Sequence, residues 1–315
     1  MAIAAASTEP MTGLSSLDRP AGWIGDWVKL PRDDESQDAR DARAQDRLHW
    51  VPLHDSGLRH RMATLAAWIE RAKPSVMVTD VSVEIALLAR LHGVPVVTFV
   101  LPGERGDEAH ALGYDIASVI LAAWPSSISG MVSGLTTSAV AKVRNVGAIS
   151  RFPVASLSPR RSQRARVVVL SGKGGSSISA RQLAEASRQA TEWEWIALGE
   201  SNWVDDPWPV ILSADVIVTH AGESAIAEVS AARKAAIVIP QSRPHSEQLS
   251  TARALRSAGG WPTIVRDKFE SHDWNEVLGS AAELDGSLWA GWNDGSGAAR
   301  AAGCIAEVGA TSRLP

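Results

Sequence analysis

Residues 215–248 read D-V-I-V-T-H-A-G-E-S-A-I-A-E-V-S-A-A-R-K-A-A-I-V-I-P-Q-S-R-P-H-S-E-Q, a run in which a strand, a glycine turn, a helix and a second strand follow one another. Two short apolar runs, residues 216–219 and 237–240, are typical of buried parallel strands. A helical pattern begins near Gly222, between the two runs. A second strand–helix–strand unit at residues 76–100, with its helix predicted at residues 83–91, predicts a parallel sheet with a right-handed crossover.

Polar groups follow the carboxyl ends of both predicted strands. His220, Gly222 and Ser224 lie where the first strand passes into the helix, whose free N–H groups and positive dipole end favour an anion. In open α/β sheets, ligands bind beyond the carboxyl ends of the strands. The sequence therefore predicts a diphosphate site at the helix start. Further groups for ligand hydroxyls follow, namely Glu228, Glu247 and Gln248.

This combination resembles the donor-binding signature of GT-B glycosyltransferases, including the family 28 enzymes that are similar to the lipid-II-forming N-acetylglucosaminyltransferase. The resemblance implies that the His220-x-Gly222 turn meets the donor diphosphate. It also implies that Glu228, eight residues after the histidine, holds the ribose hydroxyls. The Glu247-Gln248 pair would reach the donor sugar.

The chain departs from the family pattern at one point of this signature. Relatives often have Asn-Ser or Gly-Thr after the glycine, whereas this chain has Glu223-Ser224. The same resemblance suggests a donor role for two other segments. One is the loop after the strand predicted at residues 167–170, and the other is the segment that would read the nucleotide base. The candidates there are Gly172, Lys173, Gly174 and Val204.

The glycine-rich loop at residues 171–177, S-G-K-G-G-S-S, carries little information without the resemblance. It lacks the pattern G-x-x-x-x-G-K-[ST] of a P-loop and the pattern G-x-G-x-x-G of dinucleotide-binding folds. A tight turn that contacts no ligand, with a solvated lysine, is the alternative interpretation.

Composition excludes several classes of protein. The 315-residue chain has a formal net charge of −4, which argues against a nucleic-acid binder. The single cysteine, Cys304, excludes an intrachain disulfide and a cysteine-rich metal site. No apolar run is long enough to span a membrane, and the first residues form a poor signal peptide. We therefore expect a cytoplasmic protein, with peripheral membrane contact left open. Its 13 tryptophans are expected to serve mainly in packing.

No metal or cofactor is expected beyond the nucleotide-sugar substrate, for which a UDP-linked sugar is expected. Neither Asp33-Asp34 nor Asp205-Asp206 forms a D-x-D motif, and no histidine ligands cluster in the sequence. Several histidines have no partner spacing and are interpreted as surface or packing residues, namely His49, His54, His60 and His92.

Alternating strands and helices on both sides of a proline- and arginine-rich stretch predict an α/β protein of the GT-B class, with two doubly wound Rossmann-like domains and a cleft between them. Residues 1–150 are expected to form the acceptor-side domain and residues 151–166 the linker. Residues 167–315 are expected to form the donor domain.

The N-terminal domain is expected to lack its opening strand and glycine/histidine-rich loop. Residues 1–6 resemble the end of a helix, and residues 12–16 resemble the second strand of such a domain. A misassigned or truncated start is favoured over a shortened relative. Asp80, at a strand end, is then the candidate base, with the N-cap of the next helix as the alternative. Candidates for acceptor contacts lie in the loop at residues 101–110, namely Glu104, Arg105, Asp107 and His110.

The function predicted from these features is metal-independent transfer of a sugar from a nucleotide donor to an unknown acceptor. Two alternatives remain open at this stage. A GT-B-like epimerase shares the fold and the donor grip, and a non-catalytic relative would keep only nucleotide-sugar binding.

Overall fold

The computed structural model describes residues 1–35, 39–156, 164–172, 175, 177–199, 202–270 and 272–311. In chain order the strands are β1 Gly13–Ser15, β2 Trp27–Lys29, β3 Met77–Thr79, β4 Val96–Val100, β5 Gly103–Glu104, β6 Val119–Ala122, β7 Val132–Ser133, β8 Val143–Asn145, β9 Ala165–Leu170, β10 Trp193–Leu198, β11 Val216–Thr219, β12 Ala235–Val238 and β13 Thr263–Val265.

The α-helices alternate with these strands, and two short 3₁₀ segments, Pro244–Ser246 and Gly286–Gly291, precede α9 and α11. The helices are α1 Ala2–Ala6, α2 Ser56–Ala72, α3 Val83–Leu91, α4 Glu108–Ile116, α5 Thr137–Lys142, α6 Ala180–Gln189, α7 Trp208–Ser213, α8 Glu223–Ala232, α9 Glu247–Ala258, α10 Trp274–Ala282 and α11 Gly297–Thr311.

The C-terminal half contains a five-stranded parallel sheet in the order β10-β9-β11-β12-β13. All four residues of β11 and of β12 are buried, because helices cover both faces of a sheet of this kind. The predicted strand at residues 237–240 is shifted to Ala235–Val238. Two alanines begin the strand because they fit the buried register opposite β11, and periodicity alone does not distinguish them from helix.

The N-terminal half contains a four-stranded parallel sheet in the order β3-β4-β6-β8, and two separate parallel pairs, β1-β2 and β5-β7. The helix predicted at residues 83–91 is α3, which begins after the cap residue Ser82. Within the described residues, β1 and β3 are not hydrogen-bonded to each other. β3 pairs with β4 in parallel, so Asp80 after β3 and the loop at residues 101–110 after β4 follow the carboxyl ends of neighbouring strands.

The last helix, α11, packs on the N-terminal sheet, although the predicted donor domain included it. Its buried residues Ala301, Ile305 and Val308 form a cluster with Val97 and Leu121. The sequence does not reveal that α11 packs on the N-terminal sheet, because an amphipathic helix can cover any apolar surface of suitable width. The predicted linker also ends early, since β9 begins at Ala165.

Four of the tryptophans, Trp124, Trp274, Trp289 and Trp292, are buried, which confirms for them the predicted packing role. Trp203 is 55% exposed. Within the described part of the chain, no helix combines the length and the apolar character that crossing a bilayer requires.

Candidate active site

The start of α8 is the centre of the candidate site. Gly222 is its N-cap residue and provides no side-chain cap, so the first amides of a ten-residue helix point out of its end unbonded by a capping side chain. A Cβ atom added to Gly222 would lie 3.8 Å from Nε2 of Gln248. The tertiary structure therefore brings the predicted diphosphate turn next to the predicted sugar-binding pair.

His220 is held in one orientation behind this turn. Its Nδ1 lies 2.8 Å from the carbonyl oxygen of Ile239, which can only accept, so Nδ1 carries a hydrogen. Burial lowers the pKa of His220, partly offset by this hydrogen bond, and the charge of Arg243 lowers it further. The residue is therefore neutral at pH 7. A hydrogen bond from Nε2 to a phosphate oxygen requires the imidazolium form, which a bound diphosphate would favour.

Glu223, the residue that departs from the family pattern, is uncharged at neutral pH. Burial raises its pKa to about 8, with the charges of Glu247 and Asp80 adding to the effect and Arg105 opposing it. Its Oε2 atom is buried and has no hydrogen-bond partner within the described residues. A glutamic acid in this state adds no negative charge to an anion site and can donate a hydrogen bond.

Glu228 lies on the same helix and is paired with Arg151. Its side chain is only 12% exposed, and Nε of Arg151 donates to its Oε1 at 2.7 Å. Burial raises the pKa of Glu228, whereas Arg151 lowers it. Sequence reasoning missed Arg151 because it lies in the predicted linker, far from Glu228 along the chain.

Asp80 lies at the carboxyl end of β3, as predicted, but it does not cap α3, since Ser82 does. The next residue, Val81, has φ of 70°, which is rare for a β-branched side chain. Asp80 is exposed in the cleft, yet desolvation by the surrounding protein raises its pKa. Its charge contributes to the raised pKa of Glu223, so the two halves of the chain face each other here.

The predicted acceptor candidates have unequal access to the cleft. Arg105 is 4% exposed, donates from Nη2 to the carbonyl oxygen of Pro102 at 2.8 Å, and contacts His110. His110 is 2% exposed. Asp107 caps α4 and has a side chain that is 35% exposed, while Glu104 is exposed. Arg105 and His110 are therefore buried within the loop, whereas Glu104 is exposed and Asp107 is partly exposed.

Three histidines surround the Asp107 carboxylate. Its Oδ2 lies 2.5 Å from Nδ1 of His110 and 3.7 Å from Nδ1 of His245, and its Oδ1 lies 3.7 Å from Nε2 of His49. The expectation that no histidines cluster is wrong, because His49 and His245 reach this position only through the tertiary fold. Single-atom ligands of His49, Asp107 and His110 all lie within 4.8 Å of one another.

The two halves touch at Gly103. This residue has φ of 113°, and a Cβ atom there would lie 2.2 Å from the carbonyl oxygen of His245. Only glycine allows this approach of β5 to the turn before α9. The loop that carries Asp107 is therefore seated directly on the segment that carries Glu247.

The remaining predicted donor residues lie around this centre. Gly172 is exposed after the end of β9, and Ser224 is exposed in the first turn of α8. Val204 is 41% exposed, and Glu247 is partly buried at the start of α9. Lys173 and Gly174 lie outside the described residues.

Comparison with known proteins identifies glycosyltransferases as similar in sequence and in structure. Residues 153–278 match the glycosyltransferase family 28 C-terminal domain. The glycosyltransferase of kitacinnamycin covers 90% of this chain and 87% of its own length, with 16% identity and a TM-score of 0.59. MurG of Acinetobacter baumannii covers 90% of this chain and 85% of its own length, with 13% identity and a TM-score of 0.56.

The chain has the GT-B fold, and its residues 153–278 are similar to the family 28 C-terminal domain. The predicted resemblance, fold class and glycosyltransferase class are thus confirmed. The spinosyn rhamnosyltransferase SpnG, in complex with thymidine diphosphate, is also similar in structure. It covers 80% of this chain and 73% of its own length, with 15% identity and a TM-score of 0.50. A search among curated proteins finds no match.

The residues that match the family 28 domain include the centre of the candidate site. They contain α8, β12 and α9. They also include His220, Glu228 and the Glu247-Gln248 pair on which the prediction was based. Asp80 and Asp107 lie outside the matched residues, in the N-terminal half of the GT-B fold.

Proposed function

We propose that this GT-B protein transfers a sugar from a UDP-linked donor to an acceptor hydroxyl. The observation that carries the proposal is the uncapped start of α8, with Gln248 beside Gly222 and Glu228 on the same helix. Helix amides suit a diphosphate, and a carboxylate one or two turns further suits the ribose hydroxyls.

The proposed chemistry is a displacement at the anomeric carbon. The acceptor oxygen bonds to that carbon while the bond to the donor phosphate breaks, and negative charge develops on the departing diphosphate. The amides of α8 are already oriented towards that charge, so they stabilise the transition state without reorganisation. His220 would add a hydrogen bond if the arriving diphosphate protonates it.

The nucleotide is tested by calorimetry with UDP and thymidine diphosphate. Uridine is the expected base, with Val204 against its edge. Thymidine diphosphate is a second candidate because SpnG is similar in fold and its structure contains that nucleotide. Transfer is then assayed with donors of the better-bound nucleotide. Isomerisation of the donor without an acceptor would instead indicate an epimerase, and binding of neither nucleotide would contradict the proposal.

UDP binding is expected to need no divalent metal, because the N–H groups and the positive dipole end of α8 can stabilise the diphosphate charge that a bridging cation would otherwise neutralise. After treatment with EDTA, the dissociation constant for UDP should stay within about twofold when Mg²⁺ or Mn²⁺ is added, a change below roughly 0.5 kcal/mol. Strict dependence of UDP binding on either ion would contradict the expected metal-independent binding of the diphosphate.

UDP affinity is expected to fall as the pH rises through about 8, because Glu223 then ionises beside the diphosphate. The ligand's negative charge raises the pKa of Glu223 in the complex above its value in the free protein. UDP binding is therefore strongest at a pH where Glu223 is neutral in both the free protein and the complex. It weakens as the pH rises above the pKa of Glu223 in the free protein. The loss should be about tenfold between pH 7 and pH 9.

Glu223→Gln provides the control for this pH dependence. The amide keeps the shape and hydrogen-bonding capacity of the neutral acid but cannot ionise. UDP affinity of the variant should match the unmodified protein at pH 7 and should fall less than that of the unmodified protein up to pH 9. Parallel pH profiles for the two proteins would show that another group titrates.

A further inference from the structure

The proposed transfer requires a group that takes the acceptor proton. Asp80 was expected to do so, but the structure offers a different group on the donor side of the cleft. We propose that His245 is the catalytic base of this reaction and that Asp107 is its positioning residue. The proposal rests on the proposed function and adds to it the path of the proton.

The location of His245 is the first observation. It lies on the turn that leads directly into Glu247 and Gln248, the pair expected at the donor sugar. Both His245 and Ser246 have φ of 56°, although neither is glycine. Two consecutive left-handed residues are disfavoured and persist only where the surrounding structure imposes them, which often occurs at active sites. The side chain is 32% exposed, so an acceptor can reach it.

The second observation is the carboxylate beside the imidazole. Oδ2 of Asp107 lies 3.7 Å from Nδ1 of His245. Burial raises the pKa of Asp107, but hydrogen bonds from the backbone and side chain of His110 outweigh it, and the pKa falls to about 2. An ionised carboxylate here favours a hydrogen on Nδ1, which leaves the lone pair on Nε2, and it stabilises the imidazolium that forms. The separation would shorten in the loaded enzyme, as catalytic hydrogen bonds often do.

The other two histidines of the cluster cannot take this role. Nη1 of Arg105 lies 3.2 Å from Nε2 of His110, and an arginine only donates, so this contact occupies the lone pair of His110. Nδ1 of His110 then donates to Asp107 at 2.5 Å. Nε2 of His49 is buried and lies 3.7 Å from Oδ1 of Asp107, so the hydroxyl of an acceptor substrate cannot reach it. His245 is the histidine with access to the cleft.

The same arginine contact argues against a metal ion at this cluster. A metal ion bound at Nδ1 of His110 would leave the ring hydrogen on Nε2, pointing at an N–H group of Arg105. Two donors would then face each other. The contacts of His110 with Arg105 and Asp107 therefore fix its ring hydrogen on Nδ1.

The proposed step balances as follows. Nε2 of His245 takes the proton of the acceptor hydroxyl while the acceptor oxygen bonds to the anomeric carbon. The bond between that carbon and the phosphate oxygen breaks, and its electron pair stays on the diphosphate. The imidazolium, stabilised by Asp107, then loses its proton to solvent.

The charge state of His245 at neutral pH suits a base. Burial lowers its pKa, and positive neighbours lower it further, whereas Asp107 raises it. The His110 ring also packs on it edge to face, with centroids 4.8 Å apart. The rate is expected to fall on the acid side as His245 becomes protonated. The titratable or charged groups around it are Arg43, His49, Arg105, Asp107 and His110.

The experiment compares His245→Gln and Asp107→Asn with the unmodified protein. UDP release from UDP-glucose and UDP-N-acetylglucosamine is measured with water as the acceptor, beside UDP binding by calorimetry. We expect His245→Gln to lower kcat roughly 10²- to 10⁴-fold and to keep its affinity for UDP. Asp107→Asn should cause a smaller loss and move the acid limb of the rate profile to lower pH. Added imidazole should partly restore His245→Ala.

His60→Gln is the matched control, because His60 is exposed on α2. Normal UDP binding by each variant verifies that it is folded. A kcat for His245→Gln within threefold of the unmodified protein would overturn the inference, as would a rate that depends on Zn²⁺ bound at the cluster. Absence of nucleotide binding by the unmodified protein would instead overturn the proposed function itself, and this inference with it.

Discussion

Glu228→Ala should weaken UDP binding by roughly 10- to 150-fold. A carboxylate that accepts hydrogen bonds from two ribose hydroxyls contributes about 1.5–3 kcal/mol. Oε1 of Glu228 is bonded to Arg151 in the structure, so the arginine orients the carboxylate that the ribose meets. Removing the carboxylate also leaves the guanidinium of Arg151 without this partner. Calorimetric titration with UDP at pH 7 measures the effect.

Two further variants make this measurement specific. Glu276→Ala removes an exposed carboxylate on α10 and should leave UDP affinity unchanged. Arg151→Gln should cause a smaller loss than Glu228→Ala, because it only releases the carboxylate. Unchanged UDP affinity in folded Glu228→Ala protein would remove Glu228 from the site, whatever the nucleotide.

Trp289→Ala should lower the free energy of unfolding by about 3–5 kcal/mol, as large-to-small changes of buried aromatic residues do. Trp289 is 0% exposed, and its Nε1 donates to the carbonyl oxygen of Lys234 at 2.7 Å. Its ring lies 6.0 Å from the rings of both Trp261 and Trp292. The substitution would leave a cavity among these aromatic groups and an unpaired carbonyl at the start of β12.

Denaturant unfolding followed by circular dichroism measures this loss. Trp203→Ala is the matched control, because Trp203 is 55% exposed and its removal should change the free energy of unfolding by less than about 0.5 kcal/mol. Equal effects of the two substitutions would contradict the packing role assigned to the buried tryptophans.

The parts of the site that could be predicted are those whose geometry is local. His220, Gly222 and Glu228 lie on one strand–turn–helix unit, so their separation along the chain determines their separation in space. The strand–helix–strand pattern of residues 215–248 has a period and a turn chemistry that distinguish it from other folds. That locality also explains why the boundaries of α3 were predicted to the residue.

The parts that could not be predicted depend on contacts between distant residues. Arg151 and Glu228 are 77 positions apart. His49 joins Asp107 from a loop without regular spacing, and His245 joins it from the other half of the chain. Periodicity carries no information about such meetings, because they follow from how layers pack after the elements have formed.

The sequence by itself therefore determined the class of fold and predicted which residues lie at the start of α8, since these depend on short-range pattern. Only the tertiary structure decided the chemical state of those residues. The neutral form of Glu223 arises from burial together with the nearby charges of Glu247 and Asp80, which come from different strand ends. A proton's location depends on the three-dimensional arrangement of charge and solvent, which a one-dimensional pattern does not contain.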